Sequence, residues 1–198
     1  MEYKLHLKEY PRDAPKVVLL HGLGGTHRYW NSGLDELTGR FHVITVDLLG
    51  FGDSDNPWIN YTRERHLGAL AAHLQRYDQF FVVGHSLSAA LALGYSARNP
   101  KQVMCQLLIS LPYYPSEEQA YRWFRRTPSG WLMTNMFSEI AACLFTRRIM
   151  GPFLLRLLQK YPREIVEDLL KQNFLSSTTT PWQVLYNSSI LQDAALID

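Results

Sequence analysis

Short apolar runs alternate with helical patterns through the first 110 residues, and this alternation constrains the fold more than any other feature of the sequence. The runs are rich in β-branched and aromatic residues, which is typical of buried strands, and they occupy residues 16–20 (KVVLL), 41–48 (FHVITVDL), 79–83 (QFFVV) and 103–109 (VMCQLLI). Helical patterns fill the stretches between them, at residues 27–38, 62–77 and 87–98. Strands that alternate with helices build right-handed βαβ units. We therefore predict an α/β fold with a mostly parallel, doubly wound sheet, and residues 3–10 as an added antiparallel edge strand.

The pattern changes near residue 112. From there to residue 198 the sequence shows helical stretches and no strand-like run, with breaks at Thr127-Pro128, Gly151-Pro152, Tyr161-Pro162 and Thr180-Pro181. We predict two units, a core at residues 1–111 and an α-helical cap at residues 112–198. Within the cap, the SSTTT stretch at 176–180 indicates a loop and a helix N-cap. The apolar, arginine-rich stretch 121–158 suits a lid over an acyl pocket, and equally a helical subdomain that buries its own face.

Composition and charge argue against several classes of function. With 20 basic and 18 acidic side chains the formal net charge is +2, which gives no reason to expect a nucleic-acid partner. The two cysteines, Cys105 and Cys143, lack the spacing of a metal site or a redox pair, so we predict buried, reduced thiols and a cytoplasmic location. The N-terminal residues do not form a signal-peptide pattern, and no apolar run reaches the roughly 18 residues of a membrane span. We predict no metal and no cofactor.

The stretch VVGHSLSAA places Ser86 between a predicted strand and a predicted helix. A sharp strand-to-helix turn exposes the serine Oγ atom, points the following backbone N–H groups at one place, and requires small residues two positions to either side. Gly84 and Ser88 meet that size requirement. The motif alone equally describes a serine that caps the following helix. The strand before it and the helix after it favour a nucleophile.

Two glycine-rich loops accompany this motif. In HGLGG, His21 and Gly22 end the first strong strand, and the backbone N–H groups of Leu23 and Leu87 are candidates to hold an oxyanion. A phosphate-binding loop is a poor match, because the stretch lacks the lysine and the spacing of that motif. In DLLGFGDSD, Asp47 ends a strand and precedes two glycines, which indicates that it organises its own loop.

The motifs HGLGG, DLLGFGDSD and GHSLSAALAL, in this order and spacing, resemble the α/β-hydrolase superfamily, in the branch that inserts a helical cap after the sixth strand. The resemblance implies Ser86 as nucleophile, with Leu23 and Leu87 as the backbone donors of the oxyanion hole. It also implies loop-forming roles for His21, Gly22, Gly84, Asp47, Gly50 and Gly52. Dehalogenases and epoxide hydrolases of this superfamily carry Asp at the nucleophile position. Ser86 therefore favours acyl chemistry on a small-molecule ester, thioester or lactone, or on a C–C bond beside a carbonyl.

The sequence departs from this superfamily in one respect that bears on catalysis. The superfamily's acid and histidine follow the nucleophile, whereas all seven histidines here precede Ser86. We interpret this as the absence of the last two core strands. The strand at residues 103–109, which matches the sixth strand of the superfamily, would then be an exposed apolar edge that favours self-association. His21 is the best upstream replacement for the base, although hydrogen bonding to its own loop is the simpler explanation for that residue.

Alternative hypotheses about function remain open at this point. The leading one is a serine hydrolase that acts on a carboxylic ester through Ser86, with the acid and histidine supplied from outside these 198 residues. The alternative is a truncated, non-catalytic form that serves as a binding or association module. A partner chain that supplies the missing strands is a third, weaker hypothesis.

Overall fold

The computed structural model of the protein describes residues 2–126, 167–168, 171–186 and 190–197. Within them, one sheet contains strands β1 (Leu7–Tyr10), β2 (Lys16–Leu20), β3 (His42–Val46), β4 (Phe80–His85) and β5 (Val103–Ile109). Their spatial order is β1-β3-β2-β4-β5, with β1 antiparallel to β3 and the other neighbours parallel. The predicted α/β fold and its antiparallel edge strand are confirmed.

Helices connect these strands and cover the sheet. Between β2 and β3 lie a 3-10 helix (His27–Trp30) and α1 (Leu34–Thr38), and around β4 lie α2 (Arg63–Leu74) and α3 (Leu87–Arg98). After β5 the described elements are α4 (Glu117–Phe124), α5 (Phe174–Pro181), a π-helical segment (Trp182–Tyr186) and α6 (Ile190–Ala194). No helix in the described ranges is both long enough and apolar enough to cross a bilayer.

Both faces of the sheet bury apolar side chains, as the alternation along β2 shows. Val18 and Leu20 join the larger core cluster, which contains residues of α2 and α3. Val17 and Leu19 join a smaller cluster with Leu34 of α1. Because successive residues of a strand point to opposite faces, a sheet covered on both sides requires the continuous apolar run that this strand has.

Three predictions of local structure are wrong. Residues 27–38 do not form one helix, because the chain breaks at Gly33, whose φ of 102° is one that L side chains rarely adopt. The SSTTT stretch lies inside α5 rather than before it, since Asn173 is the residue that caps this helix. Cys105 is exposed rather than buried, because it lies on β5 at the edge of the sheet. Cys143 lies outside the described residues.

The described segments after residue 166 pack against the core. Asp193 of α6 pairs with the buried Arg63 of α2, and with Arg98 of α3 at 3.2 Å. The Thr180 hydroxyl of α5 lies 3.3 Å from the ring of His66, and burial lowers the pKa of that histidine to about 3. Since much of residues 112–198 lies outside the described ranges, the division into core and cap stays a prediction.

Candidate active site

Strand β4 and helix α3 meet at Ser86. This residue has φ 54° and ψ −116°, outside the regions that residues other than glycine usually adopt, and such a conformation costs on the order of 1–3 kcal/mol. Its N–H donates to the Ile109 carbonyl of β5 at 2.8 Å. Its side chain makes no capping bond to α3. The β4–α3 turn therefore fixes the backbone of this serine, and its hydroxyl does not serve as a helix cap.

Small residues on both sides of Ser86 let α3 begin directly against the end of β4. A Cβ atom on Gly84 would lie 2.4 Å from the Ser88 carbonyl oxygen, which is closer than real Cβ atoms come to backbone. Ser88 is fully buried, and its hydroxyl donates to the His21 carbonyl. The motif thus requires small residues because α3 packs directly against the end of β4. Ser88 also makes a hydrogen bond that glycine could not make.

The loop after β2 lies against this turn, because β2 and β4 are neighbouring parallel strands with Leu20 paired to Gly84. A Cβ atom on Gly22 would come 2.9 Å from His85 Nδ1, so the two loops are in contact. Leu23 is exposed and Leu87 is buried. Neither of their N–H groups donates to a backbone carbonyl within the described part of the chain. Their role as oxyanion donors stays a prediction.

Two histidines belong to these loops. The buried His21 places Nδ1 2.7 Å from the Gly22 carbonyl oxygen, and its Nε2 accepts the Leu48 N–H at 3.0 Å. Burial lowers the pKa of His21, which favours a neutral ring. His85 Nδ1 lies 3.2 Å from the Tyr29 hydroxyl, and the two rings stack with centroids 5.3 Å apart. Both ring nitrogens of His21 therefore take part in hydrogen bonds to the loops. This explains the position of His21 better than a catalytic dyad with Ser86 does.

Asp47 organises the loop after β3. It is fully buried, and its carboxylate accepts the backbone N–H of Asp53 at 2.9 Å and that of His27. Burial by itself raises the pKa of Asp47, but the hydrogen bonds from His27 and Asp53 outweigh burial and hold the pKa below its usual value. Gly50 has φ 85°, and a Cβ atom on Gly52 would overlap the Asp47 carboxylate at 2.3 Å.

The same loop brings His6, His27, Asp47 and Asp53 together, with ligand atoms within 4.8 Å of one another. Histidine nitrogens and carboxylate oxygens are the donors that zinc prefers. Both oxygens of Asp47, however, already accept backbone N–H groups, and Asp53 is paired with Lys171 at 2.7 Å. The group is built as a hydrogen-bonded network, and we assign no metal to it.

Sequence reasoning missed the contacts that join the loop after β2 to Asp168. Thr26 donates to the buried Asp168 at 2.7 Å, and Arg28 pairs with the same carboxylate at 3.2 Å. Lys171 lies 3.6 Å from Asp168. Thr26 and Asp168 are 142 residues apart in the sequence, and no local motif marks either of them, so the sequence carries no signal that identifies the pair.

The sequence model of the Alpha/beta hydrolase family matches residues 17–194 of this chain. The chain belongs to that family. It is 27% identical over 162 residues to a rice protein (Oryza sativa subsp. japonica) named probable 1-acylglycerol-3-phosphate O-acyltransferase, a match that covers 75% of this chain and 39% of that protein. It is 30% identical over 117 residues to the Arabidopsis thaliana protein named probable lysophospholipase BODYGUARD 4, covering 55% of this chain and 28% of that protein. The matched part is less than half of either relative.

Solved structures show the hydrolase fold as well. The crystal structure of an N-formylmaleamic acid deformylase from Pseudomonas putida S16 superposes with a TM-score of 0.74 at 19% identity, covering 98% of this chain and 75% of that one. At this identity the likeness concerns the fold alone. The expected family and α/β-hydrolase fold are therefore confirmed, whereas the division into core and cap and the roles of individual site residues stay predictions.

Proposed function

We propose that this protein is a serine hydrolase that cleaves a carboxylic ester or a related acyl substrate through Ser86. The observation that carries the proposal is the place of Ser86 at the β4–α3 turn, where a φ of 54° is combined with a side chain that makes no capping bond and with the β2 loop packed against the same turn. A residue other than glycine keeps such a conformation only where the surrounding structure enforces it, and enforced strain concentrates at functional sites. Membership of the hydrolase family and the contact between the β2 loop and the β4–α3 turn support the same conclusion.

In the proposed reaction, the Ser86 Oγ atom attacks the carbonyl carbon of the substrate while a base takes the hydroxyl proton. The negative charge moves to the carbonyl oxygen, where the N–H groups of Leu23 and Leu87 hold it, at about 3 kcal/mol per donor. Collapse of the intermediate expels the alcohol, which takes the proton from the base, and leaves an acyl ester on Ser86. Water activated by the same base then releases the acid and restores the serine.

The base must come from a residue other than His21. Both ring nitrogens of His21 serve the loops, and no histidine follows Ser86 in the sequence. We propose that the histidine and its acid partner are supplied from outside these 198 residues. This requirement makes the longest natural form of the protein the right material for activity assays.

The proposed substrate is a small molecule with an acyl ester. One relative is named as a lysophospholipase and another as an acylglycerol-phosphate acyltransferase, and both names describe acyl chemistry. A serine nucleophile suits such a substrate, since it forms an acyl ester as its intermediate.

The test compares the hydrolysis of p-nitrophenyl butyrate by the protein with that by its Ser86→Ala variant, on the 198-residue chain and on its longest natural form. In the longest natural form we expect Ser86→Ala to lower kcat/KM by at least about a thousandfold, whereas the 198-residue chain, which lacks the proposed base, is expected to turn over little ester with or without Ser86. Ser110→Ala is the matched control, because Ser110 also has φ 54° and follows the neighbouring strand β5 directly, but does not precede a helix against the β2 loop. It is expected to keep its activity. In the longest natural form, equal turnover by the parent and by Ser86→Ala would contradict the proposal.

A second candidate function, association between copies, is favoured by a difference between the two edges of the sheet. β1 has only four residues and includes Lys8 and Glu9, and charges of this kind protect an edge from pairing. β5 has seven residues, none of them charged. Its Met104 and Leu107 side chains are 55% and 57% exposed. We propose that β5 pairs antiparallel with β5 of a second copy around a two-fold axis.

Sedimentation velocity of the 198-residue chain over a range of concentrations tests this association. We expect a dimer that Leu107→Lys dissociates, because the lysine brings a charge to each side of the paired edge. Lys8→Glu on β1 is the control and is expected to leave the dimer intact. A parent chain that stays monomeric at every concentration would overturn the second candidate without affecting the first.

Two further expectations are carried as proposals. The division into a core at 1–111 and a helical cap at 112–198 is tested by limited proteolysis, which should cut first near residue 112.

The cytoplasmic location rests on the cysteine usage and the N-terminal sequence, and imaging of the tagged natural protein tests it.

A further inference from the structure

An open groove of about 400 Å³ lies between helix α4 and the segment that leads into it. Its walls are formed by Tyr114, Pro115, Gln119, Arg122, Trp123 and Arg126. Arg122 lies in the last turn of α4 and Arg126 lies two residues beyond its end, and both line the groove. The groove therefore combines two guanidinium groups with aromatic surface.

Positive charge is concentrated in this part of the sequence. Residues 117–126 contain three arginines and two glutamates, a net charge of +1, and the stretch 121–148 contains five arginines and a single acidic residue, Glu139, a net charge of +4, whereas the whole chain carries +2. The remaining residues therefore carry a net charge of −2. An excess of one sign in one segment attracts a partner of the opposite sign, which here is an anionic one.

The exposed aromatic residues indicate what kind of anionic partner fits. Trp123 is 54% exposed and Tyr113 is 47% exposed, and Trp123 shares the groove with the two arginines. Tryptophan and tyrosine beside basic residues are typical of segments that lie at a bilayer surface, where the ring enters the headgroup region and the cation contacts phosphate. Glu117 and Glu118 in the first turn of α4 oppose any anionic partner alike, so nucleic acid is distinguished from a bilayer by competition with duplex DNA.

The segment that leads into the groove starts at the same end of the sheet as the serine. The segment from residue 110 to residue 116 begins where β5 ends, and the last residue of β5, Ile109, accepts the Ser86 N–H. The segment and the β4–α3 turn thus both leave the sheet at the carboxyl ends of its parallel strands.

We propose that this groove binds the phosphate headgroup of an anionic phospholipid and docks the α4 face on a bilayer surface. Arg122 and Arg126 contact the phosphate, and Trp123 enters the headgroup layer. The Arg122–Glu118 pair at 3.1 Å does not oppose this, because both side chains are largely exposed and such surface pairs are weak. The inference rests on the proposed function only in that docking would bring an acyl lipid to Ser86.

Co-sedimentation of the 198-residue chain with vesicles tests the proposal, using phosphatidylcholine alone and phosphatidylcholine mixed with phosphatidylglycerol. We expect binding to the mixed vesicles only. The double variant Arg122→Gln/Arg126→Gln is expected to weaken it about 25-fold, at roughly fivefold for each arginine near the surface. The matched control, Arg12→Gln/Arg40→Gln, removes the same charge from exposed residues elsewhere and is expected to bind like the parent.

Tryptophan fluorescence supplies the second readout. Vesicles are expected to shift the emission to shorter wavelength, and Trp123→Phe should abolish the shift. Trp58→Phe, at a residue that is 74% exposed on another loop, should leave it unchanged. Circular dichroism of each variant checks that the fold is retained.

Several results would overturn the inference. The first is equal binding to both vesicle types, and the second is unchanged binding by the Arg122→Gln/Arg126→Gln variant. The third is full displacement of the vesicles by inorganic phosphate or by duplex DNA, which would reassign the groove to a free anion or to nucleic acid. Ser86→Ala is expected to bind vesicles like the parent. Failure of vesicle binding with ester hydrolysis retained would reject the groove alone, and the converse would reject the hydrolase proposal alone.

Discussion

In the loops that follow β3 and β4, different kinds of residue have positive φ angles. After β3 these angles fall on Gly50 and Gly52, and the carboxylate of Asp47 accepts the loop's N–H groups. After β4 a positive φ falls on Ser86, whose side chain makes no capping bond. Glycine adopts such angles at little steric cost. The β3 loop thus takes its positive φ angles at little steric cost, whereas the β4–α3 turn keeps strain at a residue with a side chain, as the proposed nucleophile requires.

Asp47→Ala is expected to have the largest effect on stability, because it removes the acceptor of two backbone N–H groups in the β3 loop. Each unsatisfied buried group costs roughly 1–3 kcal/mol, so we expect the free energy of unfolding to fall by about 4 kcal/mol. Urea denaturation measures the change. Asp47→Asn keeps an acceptor oxygen and should lose less. If Asp47→Ala were as stable as the parent, the β3 loop would not depend on its carboxylate.

Gly84→Ala tests the packing that supports the β4–α3 turn. The added Cβ would lie 2.4 Å from the Ser88 carbonyl oxygen, so α3 must shift, and we expect a loss of about 3 kcal/mol in unfolding free energy. Gly68→Ala is the matched control, because a Cβ there meets no atom within 4 Å. In the interior of α2 it should stabilise by up to about 1 kcal/mol. Equal effects of the two substitutions would refute the close approach of α3 to β4.

Acid is expected to loosen the β3 loop before the β4–α3 turn. His21 Nε2 accepts the Leu48 N–H, whereas the Ser86 N–H donates to a backbone carbonyl, which does not titrate. Because burial lowers the pKa of His21, the unfolded chain binds a proton more readily than the folded one. The stability contributed by neutral His21 is therefore complete above about pH 6.5 and falls as pH drops below that value, by up to about 1.4 kcal/mol per pH unit.

Amide hydrogen exchange measures this difference residue by residue. Between about pH 7 and about pH 5, the protection factor of Leu48 is expected to fall by up to about tenfold per pH unit below the histidine value. That of Ser86 should fall less. A larger fall at Ser86 than at Leu48 would reverse the comparison between the two loops.

Ser86→Gly is expected to have the smallest effect, and one of opposite sign. Glycine relieves the strain at φ 54°, and after its own entropic cost we expect a gain of about 1 kcal/mol in unfolding free energy. Ser86→Ala keeps the Cβ and should leave stability unchanged. Thermal unfolding of the three proteins compares them, and a loss of stability in Ser86→Gly would show that the turn is not strained.

The fold could be predicted from the sequence where a single periodicity was decisive. The residues 87–98 and 103–109 form a helix and a strand with the predicted bounds, because each apolar pattern ends at a clear boundary. Residues 27–38 could not be assigned correctly, since a helical pattern does not reveal that Gly33 has a φ of 102°. Stretch 176–180 looked like a cap because hydroxyl side chains favour caps, yet in α5 the Ser176 and Thr179 hydroxyls donate to helix carbonyls.

The sequence predicted which loops form the candidate site, but it did not predict the side-chain contacts between them. The motif order identified the β2 loop, the β3 loop and the β4–α3 turn. It gave no sign that Tyr29 stacks on His85, or that Thr26 reaches Asp168. Such contacts depend on how distant segments pack, and no short spacing in the sequence encodes them.

The most direct test of Ser86 as a nucleophile is the position at which a fluorophosphonate reagent attaches. Such a reagent phosphonylates an activated serine and releases fluoride, and peptide mass spectrometry locates the adduct. In the longest natural form of the protein we predict one adduct, on the peptide that contains Ser86, lost in Ser86→Ala and retained in Ser110→Ala. No adduct, or an adduct on another serine, would contradict the assignment of Ser86 as the nucleophile.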